Sequence, residues 1–268
     1  MATTESNKAR IAKRVIEVLE FFDEEHPRAT VMDIVRRFDR PQSSTSELLS
    51  NLVGLGLLYK DRQSRTYSLT PRAAMLGGAV QPRMVRDGRL VGLIDRLSAQ
   101  TGLGIGVFSV VGLKLQVCSW RAGTRKIRTS RPAGLSGGQQ EHLSDSAAGW
   151  LLLSTIAQPN RDGMIRRLNA EAGPERRFVF AEMASRVQQC RDQGHATGIA
   201  GFGSIADMVA VLVPGLPENQ PLAIALVYEP SDQIDTATLL GSLNDGVSRC
   251  GEQGEPASAG VQPLFNAA

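Results

Sequence analysis

Arg40-Pro41-Gln42-Ser43-Ser44-Thr45-Ser46-Glu47-Leu48-Leu49-Ser50-Asn51-Leu52-Val53-Gly54-Leu55-Gly56-Leu57-Leu58 is the stretch whose reading decides the fold. Leu48, Leu49, Leu52 and Val53 recur at helical spacing, with Thr45 one turn earlier on the same stripe. The opposite side, Gln42, Ser43, Ser44, Ser46, Glu47 and Ser50, is small, polar and rich in donors and acceptors. Pro41 suits the first turn of such a helix, where its missing N–H costs nothing. Gly54 and Gly56 tolerate positive φ and end it. The spacing predicts one helix, anchored by leucines and polar on its outer side.

Upstream, Val31, Ile34, Val35 and Phe38 give a second helix its inner face. Thr30 caps that helix, and Asp33 sits three residues on, near the positive helix end. Earlier still, Ile11, Val15, Val18, Leu19 and Phe22 stripe a helix from Ala9 to Phe22, broken by Pro27. Downstream, Leu57 to Lys60 and Thr66 to Leu69 read as β segments around the polar, basic turn Asp61 to Arg65. Three short helices and a hairpin with a cationic tip make a winged helix-turn-helix. The third helix is slim enough to enter a major groove while the hairpin reaches adjacent phosphates. Gln42, Ser43, Ser44, Ser46 and Ser50 are then the readers of base edges, and Lys60, Arg62 and Arg65 the phosphate contacts. Glu47 either accepts from a cytosine amino group or faces solvent. Winged helices also serve as protein–protein modules, and that alternative stays open.

A chain of 268 residues, 42% hydrophobic and 21% charged, holds one large globular domain or two of ordinary size. No run approaches the roughly 20 apolar residues that cross a bilayer, and the N-terminus lacks the apolar core of a secretory signal. Cys118, Cys190 and Cys250 are widely spaced and odd in number, which fits reduced, mostly buried thiols. A net charge of +3 does not mark a nucleic-acid binder. Placement matters more: cations group at Lys8, Arg10, Lys13 and Arg14, at Arg36, Arg37 and Arg40, and at Lys60, Arg62 and Arg65. Such groups can make a phosphate-binding face, although any one alone reads as a solvated surface.

Residues 71–82 read as a short helix and a Gly77-Gly78 break, suited to a linker. Val85 to Ser98 is a helix by its Leu90, Leu93, Ile94 and Leu97 stripe. Gly104 to Val111 and Leu113 to Trp120 form a hairpin around Gly112. Ser144 or Ser146 caps a helix through Leu151 to Leu153, and two amphipathic helices follow at Arg161 to Ala170 and Ala181 to Gln193. Met208 to Val213 and Leu222 to Tyr228 are buried strands, and a last helix spans Thr236 to Arg249. The expected organisation is a winged helix-turn-helix domain at 1–70, a linker at 71–82, an α/β domain with a mainly antiparallel sheet at 83–250, and a disordered tail at 251–268.

The run from Arg40 to Leu49, then Leu52 to Leu58, and the continuation Tyr67-Ser68-Leu69-Thr70-Pro71-Arg72 resemble the IclR family of bacterial transcription regulators. The resemblance implies a GAF-like effector-binding domain after the helix-turn-helix, and a homodimer or homotetramer on a pseudo-palindromic double-stranded DNA operator. It also implies a cytoplasmic protein with no membrane partner and no cofactor. A family pocket for a small acid falls here on Ser144, Ser146, Trp150, Gly198, Phe202, Met208, Leu226 and Tyr228. Where the family carries an acidic loop, this chain has Gly198-Ile199-Ala200-Gly201-Phe202; a common cysteine place holds Met208, and small hydroxyl places hold Leu226 and Tyr228. Fewer charges and more Met, Leu and aromatic surface favour an aromatic or apolar effector of carboxylic type. Equally, Met208 and Leu226 are the kind of strand residues that simply fill a core.

The rival chemistry is a small serine hydrolase. Gly134-Leu135-Ser136-Gly137-Gly138 matches the nucleophile-elbow pattern, with Ser136 as nucleophile and His195 as base. That elbow needs a strand before it and a helix after it, and Arg131-Pro132-Ala133 precedes it instead. His26, His142 and His195 lack partners at metal-ligand spacing, so no metal is expected. Gly102-Leu103-Gly104-Ile105-Gly106 fails the dinucleotide fingerprint at its third glycine.

Overall fold

Thr30 starts the second helix through a reciprocal pair of bonds. Its hydroxyl accepts the N–H of Asp33, while the Asp33 carboxylate accepts the N–H of Thr30 at 2.8 Å. The computed structural model describes residues 7–23, 26–76, 82–130, 134–216, 220–230 and 234–252. The chain divides into two compact units, Met1–Gln81 and Pro82–Ala268. The centre of the expected linker and nearly all of the expected tail lie outside the described residues.

The first unit runs α1 (Asn7–Phe21), α2 (Val31–Phe38), α3 (Gln42–Gly54), β1 (Leu58–Lys60), β2 (Tyr67–Leu69) and α4 (Pro71–Met75). Asp39, in the left-handed region, turns the chain from α2 into α3. β1 and β2 pair antiparallel, and Ala29 adds a bridge to Tyr67 through bonds of 3.0 and 2.7 Å. The core gathers Val18, Phe22, Ala29, Ile34, Leu49, Leu52, Leu58 and Tyr67. Burying Leu49 and Leu52 stabilises the unit by about 1.5–3 kcal/mol each, which fixes the polar side of α3 outward. One expectation shifts. Ile11 is exposed, together with Ile16, because the buried stripe of α1 begins a turn later at Val15 and Val18.

The second unit runs α5 (Arg83–Arg86), α6 (Arg89–Thr101), β3 (Gly104–Val111), β4 (Lys114–Arg121), β5 (Gln140–His142), α7 (Ala147–Ser154), α8 (Asn160–Glu171), α9 (Phe180–Gln193), β6 (His195–Ile199), β7 (Asp207–Leu212), β8 (Leu222–Tyr228) and α10 (Thr236–Glu252). The six strands form one sheet in the order β5-β4-β3-β8-β7-β6, with every pairing antiparallel. The helix expected over 85–98 is instead α5 and α6, parted at Gly88, whose φ of 77° interrupts the helical backbone. Two strands escaped the sequence reading, β5 and β6, the two edges of the sheet.

Both faces of the central strands β3, β8 and β7 are covered. On one lie α7, α8 and α9 over Phe108, Leu115, Val117, Met208, Ala210, Ala223, Ala225 and Val227. On the other, α6 and α10 pack over Ile105, Val107, Val209, Val211, Ile224, Leu226 and Tyr228. Every residue of α7 is buried, because helices and sheet surround it. α6 and α10 approach closely: a Cβ on Gly246 would lie 2.7 Å from Leu93 Cδ1. Of the cysteines, Cys190 and Cys250 are buried as expected, but Cys118 is exposed on β4.

Candidate functional site

The first candidate surface is the outer side of α3 with the β1–β2 turn. Gln42, Ser43, Glu47 and Ser50 are exposed, and Ser44 and Ser46 are half-buried. The Ser44 hydroxyl donates to Pro41 O at 3.2 Å, so its remaining capacity is as an acceptor. Among the cations that cluster in sequence, Arg40 is spent within the unit. It pairs with Glu17 and lies 5.0 Å over the Phe38 ring. Arg62 and Arg65, by contrast, are exposed and join no ion pair among the described residues.

The wing that carries them is pre-shaped. Asp61 accepts the N–H of Gln63 at 2.9 Å and the hydroxyl of Ser64 at 2.8 Å, and these donors hold its carboxyl below the usual range. Asp61 N–H closes the hairpin onto Thr66 O, and Arg65 takes the left-handed conformation at the turn. Lys60 sits with its ammonium 5.4 Å over the Tyr67 ring.

The second candidate surface is the sheet face beneath α7. Ser144, Ser146, Trp150, Gly198, Phe202 and Met208 gather here. Trp150 donates from Nε1 to Ser144 O at 2.8 Å, and Arg186 lies 4.4 Å over its ring. A Cβ on Gly198 would sit 3.0 Å from Trp150 Cζ3, a tight contact, and the φ of 146° there is one that side-chain-bearing residues rarely adopt. Met208 and Phe202 are fully buried in the same cluster. Ser146 is the N-cap position of α7 but makes no capping bond, and its buried Oγ has no hydrogen-bond partner.

Leu226 and Tyr228 are not part of this face. The register sets Met208 opposite Val227 and Val209 opposite Leu226, and side chains alternate along a strand. Leu226 and Tyr228 therefore point to the α6 and α10 side, while Ala225 and Val227 face α7. Glu141 was the other miss. The loop expected to lack a carboxylate receives one from β5, since buried Glu141 accepts the N–H of Phe202. The long stretch of chain between the two hides this pairing from any local pattern.

Neither of two cavities in this unit is lined by the eight residues expected to bind effector. One of about 390 Å³ lies between α6 and α10, lined by Leu93, Leu97, Arg96 and Arg249 among others; one of about 400 Å³ lies by Arg166, Arg177 and Phe180. Among the described residues no hydrogen bond joins Ser136 to His195. Ser136 lies in a loop that leads into β5 rather than into a helix, and that loop hydrogen-bonds to β4. His195 starts β6, with β3, β8 and β7 between, and its Nδ1 lies 3.1 Å from Gln193 O. No cluster of metal-ligating side chains occurs among the described residues, and no described helix is long and apolar enough to cross a membrane.

Known proteins share parts of this geometry. Residues 12–62 match the family model of the IclR helix-turn-helix domain. No curated protein sequence matches the chain. Among solved structures, the chain is similar to an IclR transcriptional regulator from Alicyclobacillus acidocaldarius, at 18% identity and a TM-score of 0.56, over 92% of this chain and 99% of that one. It is similar to the effector domain of a regulator from Acinetobacter sp. ADP1, at 21% identity and a TM-score of 0.55, over 62% of this chain and 95% of that one. A third, an IclR homologue from Microbacterium hydrocarbonoxydans solved with 4-hydroxybenzoate, aligns at 15% identity and a TM-score of 0.54, over 90% of this chain and 97% of that one. Residues 12–62 are thus similar to the IclR helix-turn-helix domain, and the two-part fold is shared with solved IclR-family regulators.

Proposed function

We propose that this regulator binds a pseudo-palindromic operator as a homodimer or homotetramer, and that a small aromatic carboxylate held beneath α7 changes its affinity for DNA. One observation carries the DNA half. The outer side of α3 is polar and exposed, and the adjoining wing offers Arg62 and Arg65 outside any internal ion pair among the described residues. Gln42, Ser43, Ser44, Ser46, Glu47 and Ser50 meet base edges; Lys60, Arg62 and Arg65 meet phosphates.

The effector half rests on Ser146 and its surroundings. A buried hydroxyl without a partner, at the N-terminal end of α7, suits a carboxylate: the first helical N–H groups point the same way and the helix dipole favours negative charge. Trp150, Phe202 and Met208 supply aromatic and polarisable surface for the rest of the molecule. The 4-hydroxybenzoate bound by the Microbacterium homologue is a ligand of this chemical class.

The test is retention of a promoter fragment across a salt series, with and without added aromatic acids. Binding at low salt that weakens linearly in log salt, and that shifts in either direction when one acid is present, is the expected result. A protein that retains no promoter DNA at low ionic strength would sink the reading.

A further inference from the structure

The chamber proposed for the effector is filled by the protein's own side chains. Trp150, Phe108, Phe202 and Met208 are all buried, so a ligand of benzoate size must move something aside. The four differ in what holds them. Met208 and Phe108 stand on β7 and β3, each hydrogen-bonded to strands on both sides. Trp150 is in α7, pinned through Nε1 and covered by Arg186. Phe202 alone sits on a connection, the hairpin between β6 and β7.

That connection is unusual in its backbone. Phe202 occupies the left-handed region at φ 53°, flanked by Gly201 at 74° and Gly203 at 70°. A phenylalanine there is strained, whereas its two neighbours bend freely. The strain has a purpose in the packing: it turns the ring inward, 6.1 Å from Phe108 in a stacked arrangement. Latches hold the loop in that position. Phe202 N–H donates to Glu141, Ser130 donates to Gly203 O from both N and Oγ, and the Ser204 hydroxyl donates to Gly201 O at 2.7 Å. Gly201 has no alternative at its place, because a Cβ would lie 2.0 Å from Glu141 Oε1. The buried cluster that holds the ring also contains many small residues, Ala147, Ala200, Ala206, Ala210 and Ala225 among them.

We infer that Phe202 is a built-in plug of the effector chamber: its ring holds the volume an aromatic ligand needs, and the ligand enters by displacing it. This rests on the effector reading above and deepens it. The plug makes the chamber selective for ligands that can replace a phenyl ring against Phe108, and it lowers apparent affinity by the fraction of molecules with the ring in place. Displacement also releases the strained backbone, so ring exit and movement of the 200–206 loop are one event.

The experiment compares the full-length wild type with Phe202→Ala and Phe202→Leu by calorimetric titration of 4-hydroxybenzoate and benzoate, with thermal melts to establish that each is folded. The leucine variant keeps most of the packing and guards against loss of the fold. The expected result is binding at least about tenfold tighter in Phe202→Ala than in wild type, with Phe202→Leu between them. Equal affinity in all three overturns the plug and leaves the effector site standing. No binding of either acid to any of the three overturns both.

Discussion

Thr30 and Asp33 show how much a single pair of side chains can do for the DNA-facing unit. The N–H of Thr30, and then its hydroxyl, hold the Asp33 carboxyl below its ordinary value. A carboxyl lowered in the folded state contributes stability above its unfolded pKa and loses it as pH falls through the folded value. Thr30→Ala is therefore expected to cost about 1 kcal/mol near neutrality. The gap between variant and wild type should begin to narrow as pH falls below the ordinary aspartate value of about 3.9, without closing, because the bond from Asp33 N–H to the Thr30 hydroxyl does not titrate. Urea melts of both proteins at pH 7 and pH 3 measure this directly. The capping pair was legible because its members are three residues apart. Glu141 and Phe202 were not, since their bond depends on the sheet curling until one edge meets the loop from the other. Leu226 and Tyr228 differ for a third reason: strand alternation sends both to the face away from Met208, which a resemblance in sequence position does not reveal.

At the level of elements, the proposed function divides DNA contact between the wing and α3. Replacing Arg62 and Arg65 by alanine should lower the slope of log affinity against log salt by about 0.9 for each phosphate that is no longer neutralised. Affinity for specific and non-specific DNA should fall alike, as measured by fluorescence anisotropy over a salt series. Weakening confined to the cognate sequence would instead place these residues among the base readers. The elements that carry periodic apolar stripes over three turns, such as α3, α6 and α10, were readable in the sequence. β5 was not, because three residues of sequence Gln-Glu-His carry no strand signature. β6 was hidden by Gly198 and by having five residues, too few for a pattern to stand out. The split of α6 from α5 turned on one backbone angle at Gly88. Two-sided burial of α7 was visible only as a run without periodicity, Ala147 to Leu153, which gives no face.

At the scale of the whole molecule, the constraint comes from the three central strands of the sheet, β3, β8 and β7, which have no wet side. Apolar residues leave both faces of β3, β7 and β8, so the second unit must close two separate interiors. One of these depends on α10, from Leu239 through Leu243 and Val247 to Cys250. Where the protein can be shortened follows from that. Removing the residues beyond Glu252 keeps every described residue of both interiors, and the shortened protein should melt cooperatively at an unchanged temperature. Ending the chain before Thr236 would strip the lid from Val209, Val211, Ile224 and Leu226, baring a contiguous oily strip on three neighbouring strands. Size-exclusion chromatography of the two truncations separates the outcomes: the first should elute like the parent, the second should clump or fail to accumulate.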